Sequence, residues 1–395
     1  MMRQRWRVLV LHLLAVGLTL FATDVYSPSM PLMADVFTTS SDVVQLTISF
    51  YMLAIAFTAL FYGPISDSIG RRKTYLLGFC FFFVGSLLCI WADTIWLLIA
   101  GRFVQGMGAG VASPVGGAMI KDSFRGKEAT RVFSMVSGVI VIAPGIAPII
   151  GGYLAKWYGW EINFVLIAVL SVVLIAFIAL VFQETHTEEH RHKFHTGQML
   201  KNMRTFLKNP LFVGYVIVIA GIFSSLWCFL TVAPFVYIET FGVPMEFFGY
   251  YMAAIIVTHM ITASISQRVV MIYDEQVLIR FGMVTATAGG FFMLLLAYSK
   301  VHSPIMFTAT MMVFISALSS SVTTSVSKAI DCTQKLRGTA ASVIAFFRMG
   351  SSAFGSFYAA YVQDVNFMPV AGYLIVGGII SHCGYYFLVK PRLES

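Results

Sequence analysis

The stretch Gly63–Lys73 reads GPISDSIGRRK and separates two apolar segments, at approximately 43–66 and 74–92. The stretch carries an acidic residue and a cluster of basic ones, whereas the flanking segments carry no charge. A segment of about 20 apolar residues is long enough to cross a bilayer as a helix. The pattern therefore predicts a charged turn between two membrane-spanning helices, and an all-α membrane protein.

The rest of the chain follows the same pattern. Its 395 residues are 58% hydrophobic and only 11% charged, with a mean hydropathy of +0.83, whereas a soluble domain has about 25% charged residues. The basic start of the chain leads into an apolar run too long for a signal peptide, which we interpret as the first span. Twelve transmembrane helices are predicted, at approximately 8–30, 43–66, 74–92, 95–120, 131–155, 161–182, 211–236, 247–267, 277–298, 304–327, 339–362 and 367–389.

A polar stretch at 184–210 divides the chain into two halves of six spans, 1–183 and 211–395. A metal site and a solvated cytoplasmic linker are the two interpretations of this stretch, because it contains the histidines His186, His190, His192 and His195. No cysteine accompanies them, so the sequence favours the linker and predicts neither a metal site nor a cofactor.

Basic residues are unevenly distributed between the two sides of the predicted membrane domain. Of the 26 lysines and arginines, Arg102 and Arg348 fall within spans, and only Lys156 and Lys300 fall on the side opposite the termini. The positive-inside rule therefore predicts that both termini are cytoplasmic. The net charge of +8 reflects this topology and does not indicate nucleic-acid binding. The expected partners are the lipid bilayer, protons and a small-molecule substrate, and we expect a monomer.

One acidic residue lies inside the apolar part of a span. Asp24 stands about two-thirds of the way along the first span, within TDVYSPSMP at 23–31. An unpaired carboxylate there favours its protonated form, because desolvation penalises the charge. A site that binds substrate when ionised and releases it when protonated would produce exchange. The alternative is a structural residue satisfied by Tyr26 or Thr23, but ionisable residues inside membranes are by default functional.

An arginine inside the fourth span carries an energetic cost. Arg102 begins the stretch RFVQGMGAG at 102–110, and a charge at such a depth costs about 2.5–3.5 kcal/mol on insertion scales. The side chain should therefore face protein or water and have partners. A role in proton coupling and a purely structural role are both open.

Small residues and prolines concentrate in the fifth span. Small residues allow close helix contact, and prolines bend the helix. Generic packing explains the glycines, but it explains less well two prolines followed by paired glycines. The positions are Gly138, Pro144, Gly145, Pro148, Gly151 and Gly152.

These segments together resemble the major facilitator superfamily. The stretch 63–73 is similar to its loop signature, 102–110 to its Arg-x-x-Gln-Gly motif, and the fifth span to the antiporter signature of drug:proton exporters. With 23–31, 234–243 and 337–342, the resemblance narrows to the Bcr/CflA branch of twelve-span drug exporters, and it covers the whole chain except the linker.

The resemblance implies two six-helix halves around a central cavity, and a proton-driven exporter in the bacterial inner membrane. The branch exports bicyclomycin, chloramphenicol-type drugs and sulfonamides, and some members export native metabolites. We therefore predict drug or metabolite efflux by alternating access, with the glycine face of the fifth span sealing the cavity and Arg102 taking part in proton transfer. Proton-coupled uptake is the alternative. An enzyme or a receptor is disfavoured, because the chain offers no catalytic cluster and no soluble domain.

The resemblance also implies a cytoplasmic gate. Glycines allow a sharp turn between two spans, Asp67 is expected to contact the start of the eleventh span, and Arg71 is expected to pair with Asp122. The chain departs from the family at Ser68, where an arginine is usual, and this departure loosens the expected latch. The alternative is a loop that only sets topology. The gate residues are Gly63, Asp67, Gly70, Arg71, Arg72 and Asp122.

Residues from several spans complete the predicted cavity. Arg348 lies near the middle of the eleventh span, where the family usually has a neutral polar residue. Together with Arg102 it suggests an acidic substrate, such as a carboxylate metabolite or a carboxylate siderophore. The alternative is that Arg348 only neutralises Asp24 across the interface between the halves. The predicted cavity residues are Tyr26, Trp227, Tyr237, His259 and Arg348.

Overall fold

The computed structural model describes residues 2–186, 196–299, 301–332, 337–362 and 367–393, and the regular elements in these ranges are all helical. A short linker helix, Thr196–Leu207, lies between the sixth and seventh long helices. The long helices are α1 (Gln4–Val36), α2 (Ser41–Ile69), α3 (Arg71–Ile90), α4 (Ile95–Ser123), α5 (Lys127–Tyr158), α6 (Glu161–Leu180), α7 (Pro210–Thr240), α8 (Met245–Val269), α9 (Glu275–Ser299), α10 (Pro304–Asp331), α11 (Arg337–Tyr361) and α12 (Met368–Leu393).

The predicted all-α membrane architecture is confirmed. Within the described ranges, 11 of these helices are long and apolar enough to cross a membrane. The remaining one, α11, has 25 residues, which at 1.5 Å per residue is also long enough. Its composition is less apolar because it contains Arg348 and several serines and glycines, and it packs against α2 and α7.

The largest difference from the predicted boundaries lies in α1. Its first helical segment ends at Asp24, a tight turn occupies Ser27–Ser29, and a second segment runs over Met30–Val36. Pro31 lies in the first turn of that second segment, where a proline costs no helical hydrogen bond. The helix therefore restarts after the break, and α1 extends beyond the predicted end at 30.

Glycines let α4 pack closely between two neighbours. A Cβ atom on Gly106 would lie 2.4 Å from the carbonyl oxygen of Tyr51 in α2, and one on Gly108 would lie 2.3 Å from the backbone nitrogen of Phe82 in α3. Any larger side chain would push the helices apart. The RFVQGMGAG stretch is therefore a packing surface within the first half.

The protein has two apolar cores, and each is built almost entirely from one half of the chain. One core is built from residues between Val8 and Phe182, to which Phe235 and Ala353 are added. The other is built entirely from residues between Phe206 and Val389. The halves meet mainly where α2 packs on α11 and where α5 packs on α8.

The bundle has two ends, which we call the termini face and the far face. The termini face carries both chain termini and the turn at Gly70, and the far face carries the α1–α2 and α7–α8 connections. Among the described residues, the hydrogen bonds and the ion pair that join the two halves all lie towards the far face. These contacts bridge the two halves at the far side, and we call this arrangement the closed far face.

The predicted turn at Gly63 is wrong. Helix α2 continues through Gly63 and Pro64 to Ile69, and a Cβ atom on Gly63 would meet no neighbour within 4 Å. The chain turns only at Gly70, whose φ of 100° is readily adopted by glycine alone. One glycine is enough here because α3 starts at the next residue.

Candidate functional site

A cavity of about 290 Å³ lies between the two halves. Its wall comes from α1, α2, α4 and α5 in the first half and from α7, α8, α10 and α11 in the second. Most of the wall is aliphatic or aromatic, and its ionisable side chains are Asp24, His259 and Arg348. A concave, mostly apolar space with a few polar groups is typical of a small-molecule binding site.

Asp24 lies at the point where α1 breaks. Its backbone carbonyl oxygen accepts a hydrogen bond of 2.8 Å from Ser27 Oγ. Within the described part of the chain, its carboxylate makes neither a hydrogen bond nor an ion pair. The helix break therefore places an unpartnered carboxylate on the cavity wall.

Tyr26 and Thr23 do not satisfy the Asp24 carboxylate. The Tyr26 hydroxyl forms a hydrogen bond of 2.9 Å with Thr47 Oγ1, and Thr23 Oγ1 donates to the carbonyl oxygen of Thr19 at 2.9 Å. Both side chains that the sequence suggested as partners of Asp24 are therefore bonded elsewhere, which disfavours a purely structural role for Asp24.

Arg102 lies beside the cavity wall and not on it. Its side chain is fully buried, with the guanidinium carbon 4.4 Å from the ring centre of Tyr26 and 4.0 Å from that of Tyr51. Nη1 donates to the carbonyl oxygen of Ala22 at 3.1 Å and to Oε1 of Gln105. Cation–π contacts and a bonded carbonyl make this charge tolerable in an apolar interior.

The position of Arg102 links α4 to the break in α1. The Ala22 carbonyl lies two residues before Asp24, so the guanidinium holds the segment that carries the carboxylate. Gln105 is itself fixed, since its Nε2 donates to Ser86 Oγ at 2.8 Å. The expected partners of Arg102 are thus present, and its role in proton coupling stays a prediction.

Three of the five predicted cavity residues line the cavity. Trp227, His259 and Arg348 are on its wall. Tyr26 and Tyr237 are not, and both are completely buried, so their assignment to the wall is wrong for this conformation. Their hydroxyl groups are used within their own halves, since Tyr237 bonds Thr308 at 2.7 Å.

Arg348 does not neutralise Asp24 in this structure. Both residues line the same cavity, yet no ion pair joins them among the described residues. The Arg348 side chain packs instead on the ring of Phe223, 5.1 Å from its centre. The charge is therefore available to something that enters the cavity.

The glycines and prolines singled out in α5 have different surroundings. Pro144 and Pro148 line the cavity. Gly145 and Gly152 face α8, where added Cβ atoms would approach Ile256 to 3.3 Å and the Met245 carbonyl oxygen to 2.7 Å. Part of the glycine face therefore packs on the other half, and its role in sealing the cavity stays a prediction.

Two further glycines of α5 behave differently. A Cβ atom on Gly151 would lie 1.5 Å from the carbonyl oxygen of Val25 in α1, and one on Gly138 would meet nothing within 4 Å. Gly151 thus allows α5 to touch the break beside Asp24, within the same half. Gly138 makes no close contact in this conformation.

The predicted gate centres on Arg71. Its side chain is almost fully buried, and it contacts Asp122 through Nε at 3.1 Å and Asp67 through Nη1 at 2.5 Å. The predicted pairing of Arg71 with Asp122 is confirmed. Asp67 was expected to contact the start of α11. Part of that region, the side chains 333–338, lies outside the described residues.

Arg72 and Glu184 extend this gate to the end of α6. Arg72 donates to the carbonyl oxygens of Ile178 and Ala179. The Glu184 carboxylate accepts hydrogen bonds of 2.9 and 3.1 Å from the backbone nitrogens of Arg71 and Arg72, an arrangement that favours the start of α3. Sequence analysis did not identify Glu184, because its partners are 112 and 113 positions away.

The linker histidines give no metal site in the described residues. No group of three or more His, Cys, Asp or Glu side chains there could hold a metal ion. Of the four histidines, His190, His192 and His195 lie outside the described residues.

The closed far face depends on residues that sequence analysis did not identify. Lys156 Nζ in α5 lies 2.6 Å from Glu246 Oε1 in α8. The hydroxyl oxygens of Ser49 in α2 and Ser356 in α11 lie 2.8 Å apart, and those of Tyr153 in α5 and Tyr250 in α8 lie 3.3 Å apart. Among the described residues, the ion pair between Lys156 and Glu246 is the charged contact that joins the two halves at the far face.

Replacing Lys156 by Gln should weaken the far-face closure. The pair is partly exposed to solvent, so its loss is worth about 0.2–1 kcal/mol, or at most about 5-fold in the ratio of closed to open molecules. Distances between spin labels on the far ends of α5 and α8 would report the shift. Lys127→Gln, at the other end of α5, serves as the control. An unchanged distance distribution in Lys156→Gln would rule out this ion pair as a conformational latch.

Comparison with known proteins identifies relatives of the whole chain. The family model "Major Facilitator Superfamily" matches residues 13–356. The "Bicyclomycin resistance protein homolog" of Haemophilus influenzae is 28% identical, over 95% of this chain and 94% of that protein. "Multidrug resistance protein MdtL" of an Escherichia coli strain is 24% identical, over 93% of this chain and 92% of that protein.

Solved transporter structures share the fold. The xylose transporter XylE of E. coli, in a partially occluded inward-open conformation, superposes with a TM-score of 0.75 at 14% identity, covering 98% of this chain and 97% of that one. A bacterial homologue of the human lysosomal transporter Spinster gives 0.73 at 14% identity, covering 99% and 98%. At such identities the likeness concerns the fold alone.

Proposed function

The chain belongs to the major facilitator superfamily, and from this membership we propose that it is a proton-driven exporter of small molecules. It is a transporter and not an enzyme, and it is a multi-pass protein of the inner membrane. Relatives named for bicyclomycin and multidrug resistance support drug efflux as the activity.

The proposed orientation places the termini face in the cytoplasm. The basic turn at 71–73 and the basic residues Arg204 and Lys208 lie on this side, and the positive-inside rule assigns such loops to the cytoplasm. The far face would then be the outer one. A cavity closed on that side loads its substrate from the cytoplasm, which is the direction that export requires.

The observation that carries the proposal is the unpartnered Asp24 carboxylate on the cavity wall. Substrate binding and ionisation of one residue in one cavity influence each other, and such coupling is reciprocal. Substrate taken from the cytoplasm leaves when the cavity opens outwards, and a proton from outside then neutralises Asp24. Return of the protonated carrier delivers that proton to the cytoplasm.

The available driving force is sufficient for efflux. One proton that moves inward across 100 mV releases about 2.3 kcal/mol before any pH difference is counted. That energy supports about a fifty-fold concentration of a neutral solute for each proton.

Everted membrane vesicles test the proposal. Respiration acidifies their lumen, so an exporter of this kind should accumulate bicyclomycin inside when the chain is present, and a protonophore should abolish the accumulation by collapsing both the pH difference and the membrane potential. Vesicles without the chain are the control, and chloramphenicol is a second probe.

Two results would contradict the proposal. Loss of substrate from an acidified lumen would identify a symporter, because protons would then leave together with the substrate. Failure to accumulate either drug would reject efflux of this class of compound.

A further inference from the structure

We propose that Arg348 and His259 form an anion-binding subsite in the second half of the cavity, which takes a single carboxylate attached to an apolar body. The proposal rests on the proposed function only in placing the substrate in this cavity.

The guanidinium of Arg348 has unused donors. A guanidinium carries five N–H groups, yet the structure gives the side-chain nitrogens of Arg348 no hydrogen-bond partner among the described residues, and Nε is a buried atom without one. The nearby hydroxyls of Ser351 and Ser352 donate to the Arg348 backbone carbonyl at 2.8 and 2.9 Å. Because an unpaired buried charge is costly, this site favours a ligand that brings a negative group.

Arg102 has more partners than Arg348, although its Nε and Nη2 also lack a hydrogen-bond partner among the described residues. Its guanidinium lies against two tyrosine rings and donates to a carbonyl and an amide oxygen. Arg348 has one ring, that of Phe223, and faces the cavity. Arg348 lines the cavity and Arg102 does not, so a substrate in the cavity can reach Arg348.

His259 offers a second polar group in the lining of the cavity. Its Nδ1 lies 3.1 Å from Ser319 Oγ, and Ser319 Oγ lies 2.8 Å from Thr262 Oγ1. These contacts fix the imidazole ring, whose Nε2 has no hydrogen-bond partner among the described residues. The ring lines the cavity together with Arg348. When Nε2 carries a hydrogen, α8 presents a donor in addition to the guanidinium of α11.

The charges of the cavity select the class of anion. A phosphate monoester carries a charge of about −1.5 to −2 at pH 7, which one permanent cation does not neutralise. Asp24 on the same wall further disfavours additional negative charge. A carboxylate brings one charge and two acceptor oxygens that match the guanidinium. The aliphatic and aromatic wall suits an apolar body attached to it.

Equilibrium binding to the purified protein in lipid nanodiscs tests the subsite without any proton gradient. The probes are 2-naphthoate, its neutral analogue 2-naphthamide, and 2-naphthyl phosphate. The wild type should bind 2-naphthoate at least 10-fold more tightly than the amide, and more tightly than the phosphate. Arg348→Gln should weaken naphthoate binding about 10- to 100-fold, as expected for hydrogen bonds to a charged group, and should leave amide binding within about 2-fold.

Two further variants complete the design. Arg268→Gln removes one positive charge from an exposed site outside the cavity, and it should change neither affinity. His259→Ala should weaken naphthoate binding several-fold, and it keeps the test valid if Arg348→Gln does not fold.

Two results would overturn the subsite. One is a wild type without preference for the carboxylate, which includes no binding of any probe. The other is an equal loss for acid and amide in both Arg348→Gln and His259→Ala. Accumulation of bicyclomycin in vesicles is measured separately, so either hypothesis can fail while the other stands.

Discussion

Asp24→Asn should abolish proton-driven drug accumulation in everted vesicles, to the level of vesicles that lack the chain. Asparagine has nearly the same shape as aspartate, but its amide does not ionise at the pH of the assay. The cavity therefore loses its acidic group on α1. The carboxylate makes no described hydrogen bond or ion pair that the substitution would break. The free energy of unfolding should therefore change by less than about 1 kcal/mol.

The matched control is Asp93→Asn, the same chemical change at an exposed site in the α3–α4 connection. Asp24→Asn should still exchange labelled for unlabelled drug in the absence of a pH difference. This exchange requires drug binding in the cavity but no transfer of a proton. If Asp24→Asn still accumulates drug when the lumen is acidified, Asp24 has no part in coupling. The assignment to the superfamily would be unaffected.

Gly151→Ala should destabilise the protein strongly, whereas Gly138→Ala in the same helix should not. The Cβ atom at position 151 would lie 1.5 Å from the carbonyl oxygen of Val25, and the one at position 138 would have open space. The obstructing atom belongs to the backbone, so a change of rotamer cannot relieve the overlap. We expect a loss of about 3 kcal/mol or more, at the upper end for overpacked sites.

Thermal unfolding in detergent would measure this contrast, with a melting temperature lowered by several degrees for Gly151→Ala alone. Drug accumulation should fall as well, since α5 would be displaced from the break beside Asp24. Equal melting temperatures for the two variants would show that α1 and α5 do not approach each other as closely as described.

Structural features that depend only on residues close together in the chain could be predicted from local sequence patterns. The apolar segments gave the helices, because each one alone is long enough to cross a bilayer. The turn at Gly70 and the isolated carboxylate of Asp24 were equally visible in short stretches. The resemblance to the superfamily supplied the Arg71–Asp122 pair, which no local pattern indicates.

Other features could not be predicted, because they depend on residues far apart in the chain. The cation–π contact of Tyr51 with Arg102 and the Lys156–Glu246 pair join different helices, and neither leaves a signature in a short stretch. Tyr237 was assigned to the cavity because it is aromatic and lies in a span, but its burial depends on α10. Gly63 was assigned to the turn because glycines allow a sharp bend, yet α2 tolerates Gly63 and Pro64 near its end.

The closed far face also has a pharmacological consequence. Contacts such as Lys156–Glu246 and Ser49–Ser356 shield the cavity from that side. We therefore expect a compound designed to fit this conformation to approach from the termini face or through the lipid. A bulky reagent such as an antibody, applied to the far side, would recognise only the short connections between helices and would never touch Asp24.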